Sequence, residues 1–210
     1  MSWQLVEGVP LPDPVGGHPA LDFCNTRAGW GTDAPKEYLT SVRALGLWAR
    51  EAGLLDPADV APLLGTSAST PAQAAALLRA GALREALYAC ALRRGTEGDW
   101  ALVAHEAAAA RAASVLAPAT DGGPATWRLA GTGARRAGTD AVSPLDLPVL
   151  AVAVAAEDLL TSTLGTCVAA CPGTGCGWVF ADPRRRRRWC SMAVCGNRAK
   201  ARAYAERRRA

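Results

Sequence analysis

The chain has 210 residues, half of them hydrophobic, which is enough apolar material for one or two packed domains. Its formal charge of +4 is laid out unevenly: residues 167–210 hold eleven basic and two acidic side chains, a net +9, so residues 1–166 carry −5. A membrane span is excluded, because the longest apolar run, Leu147 to Ala156, is about half the ~20 residues such a helix needs. An acidic body with a basic end is instead the footprint of an anionic partner, nucleic acid first.

The first residues, MSWQLVEGVPLPD, have neither the basic nor the apolar region of a signal peptide. The expected location is therefore cytoplasmic, where seven cysteines are thiols or metal ligands rather than disulfides. Asp22 and Asn25 are polar residues three apart in an otherwise apolar helical stretch. They read either as the lining of a small-molecule effector pocket or as caps that tie down the N-terminal loop. Thr40 to Gly53 follows as a helix, with Val42, Leu45 and Trp48 or Ala49 facing inward.

Thr70-Pro71-Ala72-Gln73 is a strong helix start: Thr70 caps, Pro71 takes the first helical position and Gln73 completes a capping box. Ala76, Ala80, Leu83, Leu87 and Cys90 then mark one apolar face, and Gly95 is the expected stop. Asp99 is expected to cap a helix from Trp100 to about Leu116, ended by Pro118. Ala117 to Ser143, with Gly122, Gly123, Gly131, Gly133 and Gly138, reads as a hairpin or loop excursion, and Thr126–Leu129 as its short strand. Ser143-Pro144 opens a helix to about Thr163, apolar on most sides through Leu145, Val149, Val152, Ala156, Leu159 and Leu160, and so the buried central one. The fold class is mainly α with a small β element (α+β). The boundary falls near Gly165, between a helical domain, 1–165, and a cysteine-rich module, 166–210.

Cys171, Cys176, Cys190 and Cys195 follow the pattern C-x4-C-x13-C-x4-C. Two local pairs joined by a longer loop supply four thiolates to one tetrahedral structural zinc ion, and Pro172, Gly173, Gly175 and Gly177 suit the turn that aims the first pair. An iron–sulfur cluster also takes four cysteines; the symmetric pairs and basic flanks favour zinc. Cys167 is assigned to the core instead.

Arg188-Trp189-Cys190-Ser191-Met192-Ala193-Val194-Cys195-Gly196-Asn197-Arg198-Ala199-Lys200 resembles the CGNR zinc finger, named for residues 195–198. Gly17-His18-Pro19-Ala20-Leu21-Asp22-Phe23-Cys24-Asn25-Thr26 resembles the opening motif of the ABATE domain, which precedes such fingers in bacterial proteins. The resemblance implies a treble-clef-like finger and a stress-linked transcription regulator.

The chain after Cys195 reads as a helix to about Arg208, with Met192, Cys195, Ala199 and Ala203 on the face toward the zinc unit. Arg184, Arg185, Arg186, Arg187 and Arg188, together with Arg198, Lys200 and Arg202, are the candidate nucleic-acid contacts, DNA before RNA because few aromatics remain free to stack on bases. No catalytic motif is present: His105-Glu106 lacks the second histidine of a metalloprotease helix, since position 109 is alanine, and Gly131-Thr132-Gly133 is a lone glycine pair. The leading reading is a zinc-dependent DNA-binding transcription regulator whose N-terminal domain senses a ligand or forms a homodimer, and not an enzyme. A zinc-stapled adaptor for protein or RNA is the alternative, and an enzyme with its site in the helical domain a weaker one.

Overall fold

The computed structural model describes residues 2–65, 70–118, 123–131 and 142–209. Strands β1 (Trp3–Val6) and β2 (Val9–Pro12) form an antiparallel hairpin around the two-residue turn Glu7-Gly8, in register Val6 to Val9. Helix α1 (Pro19–Cys24) and the short pair β3 (Arg27–Ala28) and β4 (Lys36–Glu37) follow, then α2 (Val42–Glu51) and α3 (Pro57–Leu64). The long helices α4 (Pro71–Ala91) and α5 (Glu97–Ala112) lead into an antiparallel hairpin of β5 (Ser114–Ala117) and β6 (Thr126–Leu129). Helix α6 (Leu147–Thr161) is followed by a 3-10 turn (Thr163–Cys167), the antiparallel pair β7 (Val168–Ala170) and β8 (Val179–Ala181), a π-turn (Met192–Gly196) and α7 (Asn197–Arg207). No helix among the described residues is long and apolar enough to cross a membrane.

Helix α4 starts as expected, with both bonds of the Thr70–Gln73 capping box present. It stops earlier than Gly95 suggests. Arg93 takes the left-handed conformation at φ 57°, and Arg93 and Arg94 N–H return to the carbonyls of Cys90 and Ala89. Thr96, not Asp99, caps α5; Asp99 sits in the first turn and its carboxylate accepts from Thr96 N–H, so the roles of the two are exchanged. The same helix ends at Ala112, and Ser114 to Ala117 pair with Thr126 to Leu129 instead of continuing it. Extended Val115 and Leu116 gain a partner strand there, which local helix periodicity does not reveal. Helix α6 begins at Leu147 rather than at Ser143-Pro144. Gly122, Gly133, Gly138 and Thr132 lie outside the described residues.

The central position of α6 is as its composition demands: Leu147, Val149, Val152, Ala156 and Leu159 are fully buried. It joins Leu21 and Phe23 of α1, Leu45 and Leu47 of α2, and Leu83 and Leu87 of α4 in the main core. Strand β8 belongs to two cores at once. Side chains alternate across a strand, so Val179 and Ala181 enter the helical core while Phe180 joins Trp178, Tyr38, Ala28 and the four cysteines in a second cluster.

Candidate metal centre and basic surface

The sulfurs of Cys171, Cys176, Cys190 and Cys195 all lie within 4.8 Å of one another, and all four side chains are buried. Cys176 and Cys190 are 3.6 Å apart and Cys190 and Cys195 3.7 Å. Tetrahedral zinc with Zn–S bonds of about 2.3 Å separates its sulfurs by about 3.8 Å, so the donor set fits one zinc ion. The backbone around the first pair is shaped for it. Gly173 sits so close that a Cβ there would meet Cys195 Sγ at 3.1 Å and Cys171 Sγ at 3.4 Å, and Gly175 turns the chain at φ 67°.

The electrostatics call for a cation. Hydrogen bonds from Cys176 and Cys190 hold the Cys171 thiol far below its ordinary range, aided by Gly173 and Cys190 N–H. Its proximity in turn pushes Cys176 up to about 12, and Cys190 is pushed up as well. Four sulfurs this close ionise together only around a positive charge, the role a structural zinc fills. Arg198 donates to Cys195 Sγ at 3.3 Å and adds charge beside the cluster. Cys167 is outside it, half-buried, with its thiol turned to Thr163 C=O.

The front motif grips this centre. Asn25 is fully buried and uses both ends of its amide on β8, donating to Val179 C=O at 2.9 Å and accepting from Val179 N–H at 2.8 Å. Trp178 Nε1 donates to Arg27 C=O, Gly29 and Trp30 N–H reach Cys176 C=O, and Tyr88 Oη donates to Gly177 C=O. Gly177 is tight for the same reason: a Cβ would meet Trp30 Cβ at 2.6 Å. Asp22 points the other way, its Oδ1 accepting from Val15 N–H at 2.9 Å and Gly16 N–H at 2.7 Å. It ties the N-terminal loop while lining a cavity beside Trp48. Sequence reasoning missed Trp30, Tyr38 and Tyr88 as supports of the centre. Trp30 and Tyr88 stack at 3.8 Å between ring centroids, 58 residues apart in sequence, which no local pattern signals.

Arg184 to Arg188 leave β8 through a turn organised by Asp182, whose carboxylate accepts from Arg186 and Arg187 N–H at 2.9 and 2.8 Å. Arg184, Arg185 and Arg186 are exposed. Arg188, also exposed, lies 5.1 Å above the ring of its neighbour Trp189. Arg187 folds back: it lies 4.4 Å over Phe180 and donates to Val15 C=O and Cys190 C=O. Arg202 reaches Thr174 Oγ1, and Lys200 is exposed on α7. Among the described residues no salt bridge involves residues 184–202.

The family model described as "Putative stress-induced transcription regulator", ABATE, matches residues 17–163, and that of the CGNR zinc finger matches residues 168–208. No curated protein matches the sequence.

Proposed function

Because the chain belongs to the ABATE family and ends in a CGNR zinc finger whose four cysteines hold one zinc ion, we propose that it is a transcription regulator that binds duplex DNA through the finger's arginines. The observation that carries this reading is the set of exposed side chains Arg184, Arg185, Arg186, Arg188 and Lys200, which stand on the zinc-held scaffold with no ion pair to a carboxylate among the described residues. Phosphates supply the anions that such a surface lacks. Arg187, Arg198 and Arg202 have positioning roles in this scheme, since each is bonded to the finger itself. The region before about Gly165 acts as a sensor domain, and the Asp22 cavity is its ligand site. The test is duplex binding by the zinc-loaded protein, followed by fluorescence anisotropy: binding at low salt that disappears on chelation is expected, and no binding with zinc present would remove DNA from the account.

A further inference from the structure

Between the β1–β2 hairpin, the start of α1 and the end of α2 lies a cavity of about 160 Å³, lined by Gln4, Leu11, Pro12, Pro14, Pro19, Asp22, Trp48, Glu51 and Ala52. Its volume is close to the ~150 Å³ of a core cavity that takes a single benzene ring, but this one opens to solvent on one side. Leu11 and Trp48 are buried, and the Trp48 ring is fixed by a tilted contact with Phe23 at 5.2 Å. The three prolines in the wall offer no N–H. No lysine or arginine lines the space, and its charged groups are the carboxylates of Asp22 and Glu51.

These two carboxylates differ. Glu51 is exposed and already meets Arg50 at 3.1 Å. Asp22 is fixed by two backbone N–H groups and has no ion-pair partner among the described residues. Burial outweighs those two bonds, the nearby His18 and the Asn25 amide, and raises its carboxyl above the ordinary aspartate range. The one cationic group near it among the described residues, His18, turns its Nε2 to Asp158 instead, so a buried anion here gains from a cation brought into the cavity.

We propose that this cavity binds a small organic ammonium ion, its N–H groups donating to Asp22 and its apolar body packed against Trp48, Leu11 and Pro19. The assignment rests on the sensor reading of the front motif and names its ligand class. Trp48 adds the attraction of an aromatic face for a cation. Anions are rejected because the lining carries negative charge and no cation, and neutral isosteres lose the charge-assisted bond.

The experiment uses the full-length, zinc-loaded protein with benzylammonium, benzyl alcohol and benzoate as probes, read by calorimetry and ligand-observed NMR. Two variants accompany it. Asp22→Asn keeps an Oδ1 that can accept from Val15 and Gly16 but removes the charge. Ala52→Leu fills the cavity without touching Asp22. Circular dichroism checks that both fold. Benzylammonium is expected to bind, with benzyl alcohol and the Asp22→Asn variant each weaker by about tenfold or more, and Ala52→Leu abolishing the signal. If benzyl alcohol or benzoate binds as tightly as benzylammonium and is lost in Ala52→Leu, the cavity remains a ligand site and the cationic class is overturned. If no probe binds up to about 10 mM, a range generous for ligands of this size, or if Ala52→Leu changes nothing, the sensor reading falls with it.

Discussion

In the helical body Arg27, Arg43, Arg50, Arg79, Arg84 and Arg111 each meet a carboxylate, whereas the arginines of the zinc finger meet carbonyls, a hydroxyl, a sulfur, aromatic rings or solvent. The body's charges hold its helices to one another: Arg79 of α4 bridges Glu106 of α5 and Asp146 before α6, and Arg111 of α5 pairs with Glu157 of α6. The finger has only Asp182 and Glu206 to oppose eleven basic residues, and Asp182 accepts from backbone N–H instead. Residue type alone therefore says little about an arginine. Its partners decide whether it contributes to the fold or is left for another molecule.

The largest effect should come from the scaffold on the finger's side. Cys190→Ser, or chelation, is expected to unfold the region after Gly165, because structural zinc in small modules contributes roughly 10–16 kcal/mol. Metal analysis should find about one zinc per chain. Hydrogen exchange should rise at residues 25–30 as well, since Asn25, Gly29 and Trp30 bond to the finger backbone and Arg27 C=O accepts from the Trp178 indole. Exchange confined to the region after Gly165 would show that the grip is weaker than its geometry.

On the body's side, Arg79→Met strands the Glu106 carboxylate, which is only 3% exposed. A loss of up to about 3 kcal/mol in denaturant melts is expected, the low end of the cost of removing one partner from a buried pair, because the Arg79 side chain is itself 32% exposed. Between the two regions, Asn25→Ala deprives Val179 of both its side-chain hydrogen bonds. That should cost about 1–3 kcal/mol per group left unpaired, less where the N–H and C=O relax together. A melt unchanged by this substitution would mean that the finger docks through its apolar contacts alone.

The smallest effect concerns Asp22, a body carboxylate without an arginine. Burial, opposed by the Gly16 and Val15 hydrogen bonds, raises its pKa above 3.8 in the folded chain. The folded state thus keeps the proton to higher pH than the unfolded state does. The resulting stabilisation is fully present below the unfolded value and is lost as pH rises through the folded one. Asp22→Asn removes this titration. Denaturant midpoints of parent and variant should converge or cross from about pH 4 upward and run parallel near neutrality; curves parallel throughout would contradict it.

Much of this was legible because it is local. The Thr70–Gln73 box, the buried face of α4, the apolar α6 and the paired cysteines each sit within a few residues of their partners. Where the expectation and the structure differ, two local signals compete, as with Thr96 and Asp99, or a partner lies far away, as with the strand that takes Ser114–Ala117. The Asn25–Val179 clasp spans 154 residues, and the alternation of β8 between two cores only has meaning once both cores exist. The run Arg184–Arg188 looks uniform in sequence and is exposed throughout, yet Arg187 is folded over Phe180 and bonded to the Val15 and Cys190 carbonyls.

The central claim is that the finger's unpaired cations meet phosphates, and the salt dependence of duplex binding addresses it most directly. Each phosphate contact on B-DNA contributes about −0.9 to the slope of log K against log salt, so four to five engaged side chains give roughly −4 to −5. Replacing Arg184, Arg185 and Arg186 by Gln should flatten that slope by about two to three while leaving the melting temperature unchanged, because none of the three side chains forms a salt bridge among the described residues. An affinity independent of salt, or identical slopes for parent and variant, would contradict the account.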